Sequence, residues 1–229
     1  MKLVNMNALT ISFIILFSSS LWAGGQAFAV KSFPSSHSSE SANTLKSLLT
    51  KLNTLDTAFQ QRVYSVEGDV IQQTAGQLHA ARPGKVRWST MPPMEQLVVS
   101  DSATLWIYDP DLEQVTVRSF DQDILKTPAA LFIGDLETLE QIYDIHTEDG
   151  SIAKDSTSIQ FILIPRDTKS LYTKVALGFS GETPSSMTLW DTLEQKTHIT
   201  FQDIQVNQAI APEAFQFVPP EGTDIIRDE

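Results

Sequence analysis

Residues 78–117 read LHAARPGKVRWSTMPPMEQLVVSDSATLWIYDPDLEQVTV, and the punctuation of this stretch decides the fold. Short apolar runs are separated by Arg82-Pro83-Gly84, Pro92-Pro93, Ser100-Asp101-Ser102 and Asp109-Pro110-Asp111. Pro, Gly, Ser and Asp favour tight turns, and the runs between them are rich in Val, Trp, Tyr, Thr and Ile. This is the pattern of an antiparallel meander. One residue breaks it. Counting by twos from Leu78 through Ala80 puts Arg82 on the apolar face, where a guanidinium is costly unless acceptors meet it.

The rest of the chain extends the pattern. From Leu45 the apolar residues Leu48, Leu49, Leu52, Leu55 and Phe59 predict an amphipathic helix, capped by Asn43 or Thr44, with strands from Gln61 to Val66 and Asp69 to Ala81 after it. Thr127 and Pro128 open a second helical stretch, Ala129 to Ile133, and Leu136 to Gln141 reads as a further short helix. Strands are expected over Tyr143 to Thr147, Ser158 to Pro165, Thr173 to Phe179, Ser186 to Thr192 and Lys196 to Val206, with turns at Asp149-Gly150, Arg166-Asp167 and Gly181-Glu182. The apolar parity of the last strand switches between Phe201 and Ile204, which predicts a bulge near Gln202-Asp203. About ten strands in hairpin order with few helical segments make a mainly β, α+β fold. Leu105 and Ile107 alternate with Trp106 and Tyr108, so the sheet is apolar on both faces and needs cover on both. One curved sheet wrapping the helices on its concave face meets that need.

The first 29 residues are read apart from the fold. Lys2, an apolar run from Leu9 to Trp22 and the A-x-A pattern Ala27-Phe28-Ala29 fit a secretory signal better than a membrane anchor, because the apolar run is short for a span. The mature chain is expected to start near Val30, with residues 30–42 a Ser-rich flexible lead-in and 43–229 one domain.

Composition narrows the chemistry. The formal charge of -12 argues against nucleic acid and anionic membrane surfaces, which need a basic face. With no cysteine, disulfides, thiolate metal sites and thiol catalysis are excluded. His37, His79, His146 and His198 each stand alone without metal-ligand spacing, and no nucleophile elbow, zinc-protease or phosphate-loop motif occurs. No metal, cofactor or catalytic residue is expected, although carboxylates brought together only by folding would escape this reading.

In order, Arg82-Pro83, Trp88, Gln96 to Asp101, Thr104-Leu105-Trp106, Tyr108-Asp109-Pro110 and Glu113-Gln114-Val115 resemble the central signature of the LolA family, the periplasmic carriers of outer-membrane lipoproteins. Thr127-Pro128 with Leu131-Phe132-Ile133 is similar to the family's lid, and Ala214 to Gly222 to its closing motif. Val86 and Ala129 stand where better-known members carry bulkier aromatic residues. The resemblance implies a half-open antiparallel barrel of about ten or eleven strands, covered by helices on its concave face around an apolar hollow for acyl chains. It implies a monomeric shuttle, not anchored in a membrane, that takes lipoproteins from an inner-membrane ABC transporter to an outer-membrane acceptor. It also implies that Arg82 latches the lid, formed by Leu49, Leu52, Pro128, Leu131, Phe132 and Ile133. The alternative is that Arg82 ends the strand and snorkels to water. Leu78, Trp88, Leu97, Val99, Leu105 and Ile107 are the candidate cavity lining, or plain core. A lipid-sensing regulatory domain of similar fold and a secreted hydrolase are the alternative functions.

Overall fold

The computed structural model describes residues 35–120, 130–134, 136–147 and 158–227, with side chains from residue 39 onward and without that of Ala130. The expected signal segment, Thr127, Pro128, Ala129 and the Asp149-Gly150 turn lie outside the described residues.

Helix α1 spans Ser35–Thr50 and strand β1 spans Thr54–Tyr64. Both bounds correct the sequence reading. Residues 35–42, expected as a flexible lead-in, are the first turns of α1, and Leu55 and Phe59 belong to a strand instead of the helix. The Ser- and Thr-rich helix bonds its own backbone, with Thr44 Oγ1 donating to the Glu40 carbonyl at 2.9 Å and Thr50 Oγ1 to the Lys46 carbonyl at 2.7 Å. Ala42, Leu45 and Leu49 form its buried stripe.

The meander follows as expected: β2 (Val70–Ala81), β3 (Lys85–Thr90), β4 (Gln96–Asp101), β5 (Thr104–Asp109) and β6 (Gln114–Ser119). Next come the short helices α2 (Ala130–Ile133) and α3 (Leu139–Ile142). The remaining strands are β7 (Tyr143–Thr147), β8 (Ser158–Pro165), β9 (Tyr172–Ser180), β10 (Thr183–Asp191), β11 (Lys196–Val206) and β12 (Asp224–Arg227). The bulge in β11 lies where parity placed it: Ala58 pairs with Gln202 but Asp56 with Gln205, and Asp203 has φ 51°.

All twelve strands form one open sheet in the order β12-β6-β5-β4-β3-β2-β1-β11-β10-β9-β8-β7, antiparallel except for the parallel pair β12–β6. Directly opposed residues share a face, so the register defines two surfaces. One carries Thr57, Leu78, Trp88, Val98, Ile107 and Thr116 as a cross-strand row. On its far side the same surface carries Gln61, Ile199, Met187, Leu177, Phe161 and Thr147. The helices lie on this inner face. Ser41 of α1 accepts from the Thr147 amide at 3.2 Å, and the Phe132 ring of α2 meets Phe201 edge-on at 5.7 Å.

Candidate functional site

Arg82 sits one residue beyond β2, with its amide donating to the Asn53 carbonyl at 2.9 Å. Parity sends its side chain to the inner face, as expected. There the half-buried guanidinium meets main-chain oxygens: Nε donates to the Leu52 carbonyl at 3.1 Å, Nη2 to the Leu131 carbonyl at 2.7 Å, and Nη1 to the Gly134 carbonyl. Leu52 follows the end of α1, and Leu131 and Gly134 belong to α2 and its end. These are groups that a helix leaves without internal partners, so one cation satisfies carbonyls from two segments. The adjacent Gly84 amide donates to the Ile133 carbonyl at 2.9 Å, adding a backbone tie to the same short helix.

Leu52, held against Arg82, is positioned by a residue that the sequence reading missed. Asn207 follows β11 with φ 58°, a conformation Asn tolerates better than most residues. Its Nδ2 donates to the Lys51 carbonyl at 2.8 Å and its Oδ1 accepts from the Asn53 amide at 2.8 Å. The only sequence signal is an Asn directly after a long strand.

The expected lining residues separate into two groups. Leu78, Trp88, Leu105 and Ile107 are buried on the inner face, where Leu105 and Ile107 pack with Val98 and Phe120, and Trp88 lies 4.7 Å from the Phe59 ring. Leu97 and Val99 do not join them. Val99 pairs with Arg87 and Trp106, and Leu97 with Ser89 and Tyr108, so both face the opposite surface. That outer surface is covered by the C-terminal segment: Phe215 is buried, and the Phe217 ring lies 6.5 Å from Trp106 and 5.7 Å from Tyr108. Arg87 Nη1 donates to the Ala214 carbonyl at 3.4 Å. Val99 and Leu97 are corrected to outer-face packing. The expected lid residues Leu49, Leu52, Leu131, Phe132 and Ile133 are all buried.

Away from Arg82 the inner face of β1 to β4 carries buried polar residues among the apolar ones. Gln61 opposes Thr74, Thr90 opposes Gln96, and Gln61, Thr74 and Gln96 are each no more than 5% exposed. Thr74 Oγ1 has no hydrogen-bond partner among the described residues.

Among the described residues no group of three or more His, Asp or Glu side chains is placed to hold a metal, and no helix is long and apolar enough to cross a membrane. His198 has a displaced titration. Burial holds its imidazole below the usual histidine range, and Lys196 and Arg62 push the same way.

Residues 50–218 match the family model described as outer membrane lipoprotein carrier protein LolA. An outer-membrane lipoprotein carrier protein from Azotobacter vinelandii is 39% identical over 203 residues, 88% of this chain and 94% of that protein. One from Hahella chejuensis is 37% identical over 186 residues, covering 81% of this chain and 88% of its own length. Among solved structures, an uncharacterized conserved protein from Thermus thermophilus superposes with a TM-score of 0.52 at 10% identity, covering 83% of this chain and 99% of its own, a likeness of fold.

Proposed function

The chain belongs to the LolA family of outer-membrane lipoprotein carrier proteins, and on that premise we propose that Arg82 is the latch of a lipoprotein carrier whose cover is α2 with the end of α1. The protein is a periplasmic lipoprotein carrier. Its family is one of carriers, not of enzymes.

The physical task is to take hydrocarbon through water. Each CH2 of an acyl chain is worth about 0.8 kcal/mol of burial, so a lipoprotein with several chains leaves a bilayer only if another apolar surface receives it. That surface is the inner face around Leu78, Trp88, Leu105 and Ile107, and its cover residues are Leu49, Leu131, Phe132 and Ile133, all buried. Cargo exchanges with these cover residues. Because burying each large apolar side chain contributes about 1.5–3 kcal/mol, loading replaces one set of apolar contacts with another and stays reversible. Reversibility matters, since a carrier that bound its cargo as a one-way sink would never hand it on.

The observation that carries this reading is the set of Arg82 bonds to Leu52, Leu131 and Gly134. Charge-assisted bonds of this kind contribute about 1.5–3 kcal/mol each when the alternative is an unpaired group. They hold the empty cover shut and give way when acyl chains supply a competing gain. Residues 1–29 act as the export signal, and 43–229 as a single carrier domain with α1 reaching back before it. The donor is an inner-membrane ABC transporter and the recipient an outer-membrane acceptor, a direction that the acidic exterior assists by keeping the carrier off anionic lipid.

The test is release. Mature protein added to inner-membrane vesicles loaded with a lipoprotein and supplied with ATP should yield a soluble stoichiometric complex. Lipoprotein that stays membrane-bound, or that emerges chemically altered, would overturn the reading.

A further inference from the structure

The inner face is not apolar from end to end. Its row nearest Arg82 is Leu55–Ala80–Val86, the next is Thr57–Leu78–Trp88, and the next is Phe59 opposite Gly76. One row further stands Gln61–Thr74. From Leu55 to Gln61 the strand advances about 20 Å, the reach of a long extended acyl chain.

The Gln61–Thr74 pair is polar yet nearly sealed, with both residues 5% exposed and Ile199 buried on the other side of Gln61. A buried hydroxyl without a partner is costly, and native structures rarely keep one without a use. Thr74 Oγ1 is such a group. Its neighbours on this face are the Gln61 carboxamide across the strand pair and the Phe59 ring beside it. Together they offer an O–H donor and two N–H donors within an otherwise apolar floor, between Phe59 and Val63 of β1.

We propose that Gln61 and Thr74 form a donor shelf for the carbonyl oxygens of the ester and amide linkages that attach acyl chains to a lipoprotein. The proposal rests on the carrier reading above. A chain laid over Leu78 and Trp88 with its free end towards Arg82 brings its carbonyl to this row. An ester carbonyl accepts hydrogen bonds and donates none, so its burial requires a donor, and Thr74 supplies one that no described residue occupies. Gln61 supplies the second, for the other carbonyl lone pair or for a neighbouring linkage. The shelf fixes how deep a chain is inserted. It also distinguishes acylated cargo from plain hydrocarbon.

The experiment uses the mature protein with two synthetic lipopeptides of equal chain length, one with ester-linked acyl chains and one with ether-linked alkyl chains. Binding of each is measured to wild type, Thr74→Val, Gln61→Met and the double variant. Wild type is expected to prefer the ester ligand by about three- to tenfold, one or two neutral hydrogen bonds' worth. The double variant is expected to lose that preference while holding ether-ligand affinity within about twofold, which also shows that it folds. Equal wild-type affinity for both ligands, or a preference that survives in the double variant, overturns the shelf and leaves the carrier reading standing. Wild type that binds neither ligand overturns both.

Discussion

The Ser100 hydroxyl, fully buried on β4, donates to the Gly84 carbonyl at 2.8 Å across the turn that presents Arg82. The same oxygen accepts from the Ser102 amide at 3.2 Å, so one side chain joins the β2–β3 turn to the β4–β5 turn. Ser100→Ala leaves a buried carbonyl unpaired and should cost about 1–3 kcal/mol. A denaturant titration checks this, with the midpoint falling and the slope unchanged.

Arg82→Leu removes the guanidinium from Leu52, Leu131 and Gly134. Hydrogen exchange in α2 is expected to accelerate by about ten- to a hundredfold, the factor for 1.4–2.8 kcal/mol of local opening. Arg82→Lys should recover only part of the protection, because an ammonium cannot reproduce the planar fork that reaches three carbonyls. Unchanged exchange over residues 130–134 in Arg82→Leu would sink the latch.

Asn207→Ala deletes two hydrogen bonds to the segment between α1 and β1 and places a Cβ-bearing residue with less tolerance of positive φ at 58°. A loss of about 1–3 kcal/mol is expected. The loss should not simply add to that of Arg82→Leu, because both residues hold the backbone around Leu52. A double-mutant cycle should return a coupling of about 0.5 kcal/mol or more.

At Gly76 the Phe59 ring lies across the bare strand. A Cβ there would come within 2.0 Å of the Ser89 carbonyl oxygen and 2.5 Å of Phe59 Cζ. The first neighbour is backbone, so β2 and β3 must shift. Gly76→Ala is expected to lower stability by about 1–3 kcal/mol, read from the thermal midpoint, with near-ultraviolet dichroism reporting displacement of the Phe59–Trp88 pair.

His198 supplies the pH dependence. Its folded-state titration lies below the usual histidine value of about 6.5, so between those two pH values the unfolded chain binds the extra proton. Stability from this group is therefore complete above about pH 6.5 and declines as the pH falls through that window. Thr188 and Thr200, whose hydroxyls lie 2.8 and 3.3 Å from the two ring nitrogens, are retained in the comparison His198→Gln. That variant should show a flatter stability profile across the same range.

Much of this was readable in the chain. The strands expected at β7, β8 and β11 form with the expected bounds, and the parity switch at Phe201 and Ile204 located the bulge, because side-chain direction in a strand is fixed by counting. Counting failed where two periods coincide. Leu45, Leu49, Leu52, Leu55 and Phe59 satisfy helical spacing, but a four-residue step is also two strand repeats, and buried Thr57 between Leu55 and Phe59 marks the strand. Hydropathy failed differently at Leu97-Val98-Val99. Three apolar residues in succession cannot reveal which face each occupies, and only pairing with Trp88 and Arg87 assigns Val98 inward and Val99 outward. Asn207 was invisible because its partners lie more than 150 residues away.

The oxygens that receive the Arg82 fork are peptide oxygens, and every amino acid carries one. Positions 52, 131 and 134 can therefore drift in sequence without erasing the acceptor, whereas position 82 has no equivalent freedom. Genetic suppressors of an Arg82 defect should accordingly arise elsewhere, by restoring grip through apolar contacts of the cover, and not by recharging the three acceptor sites.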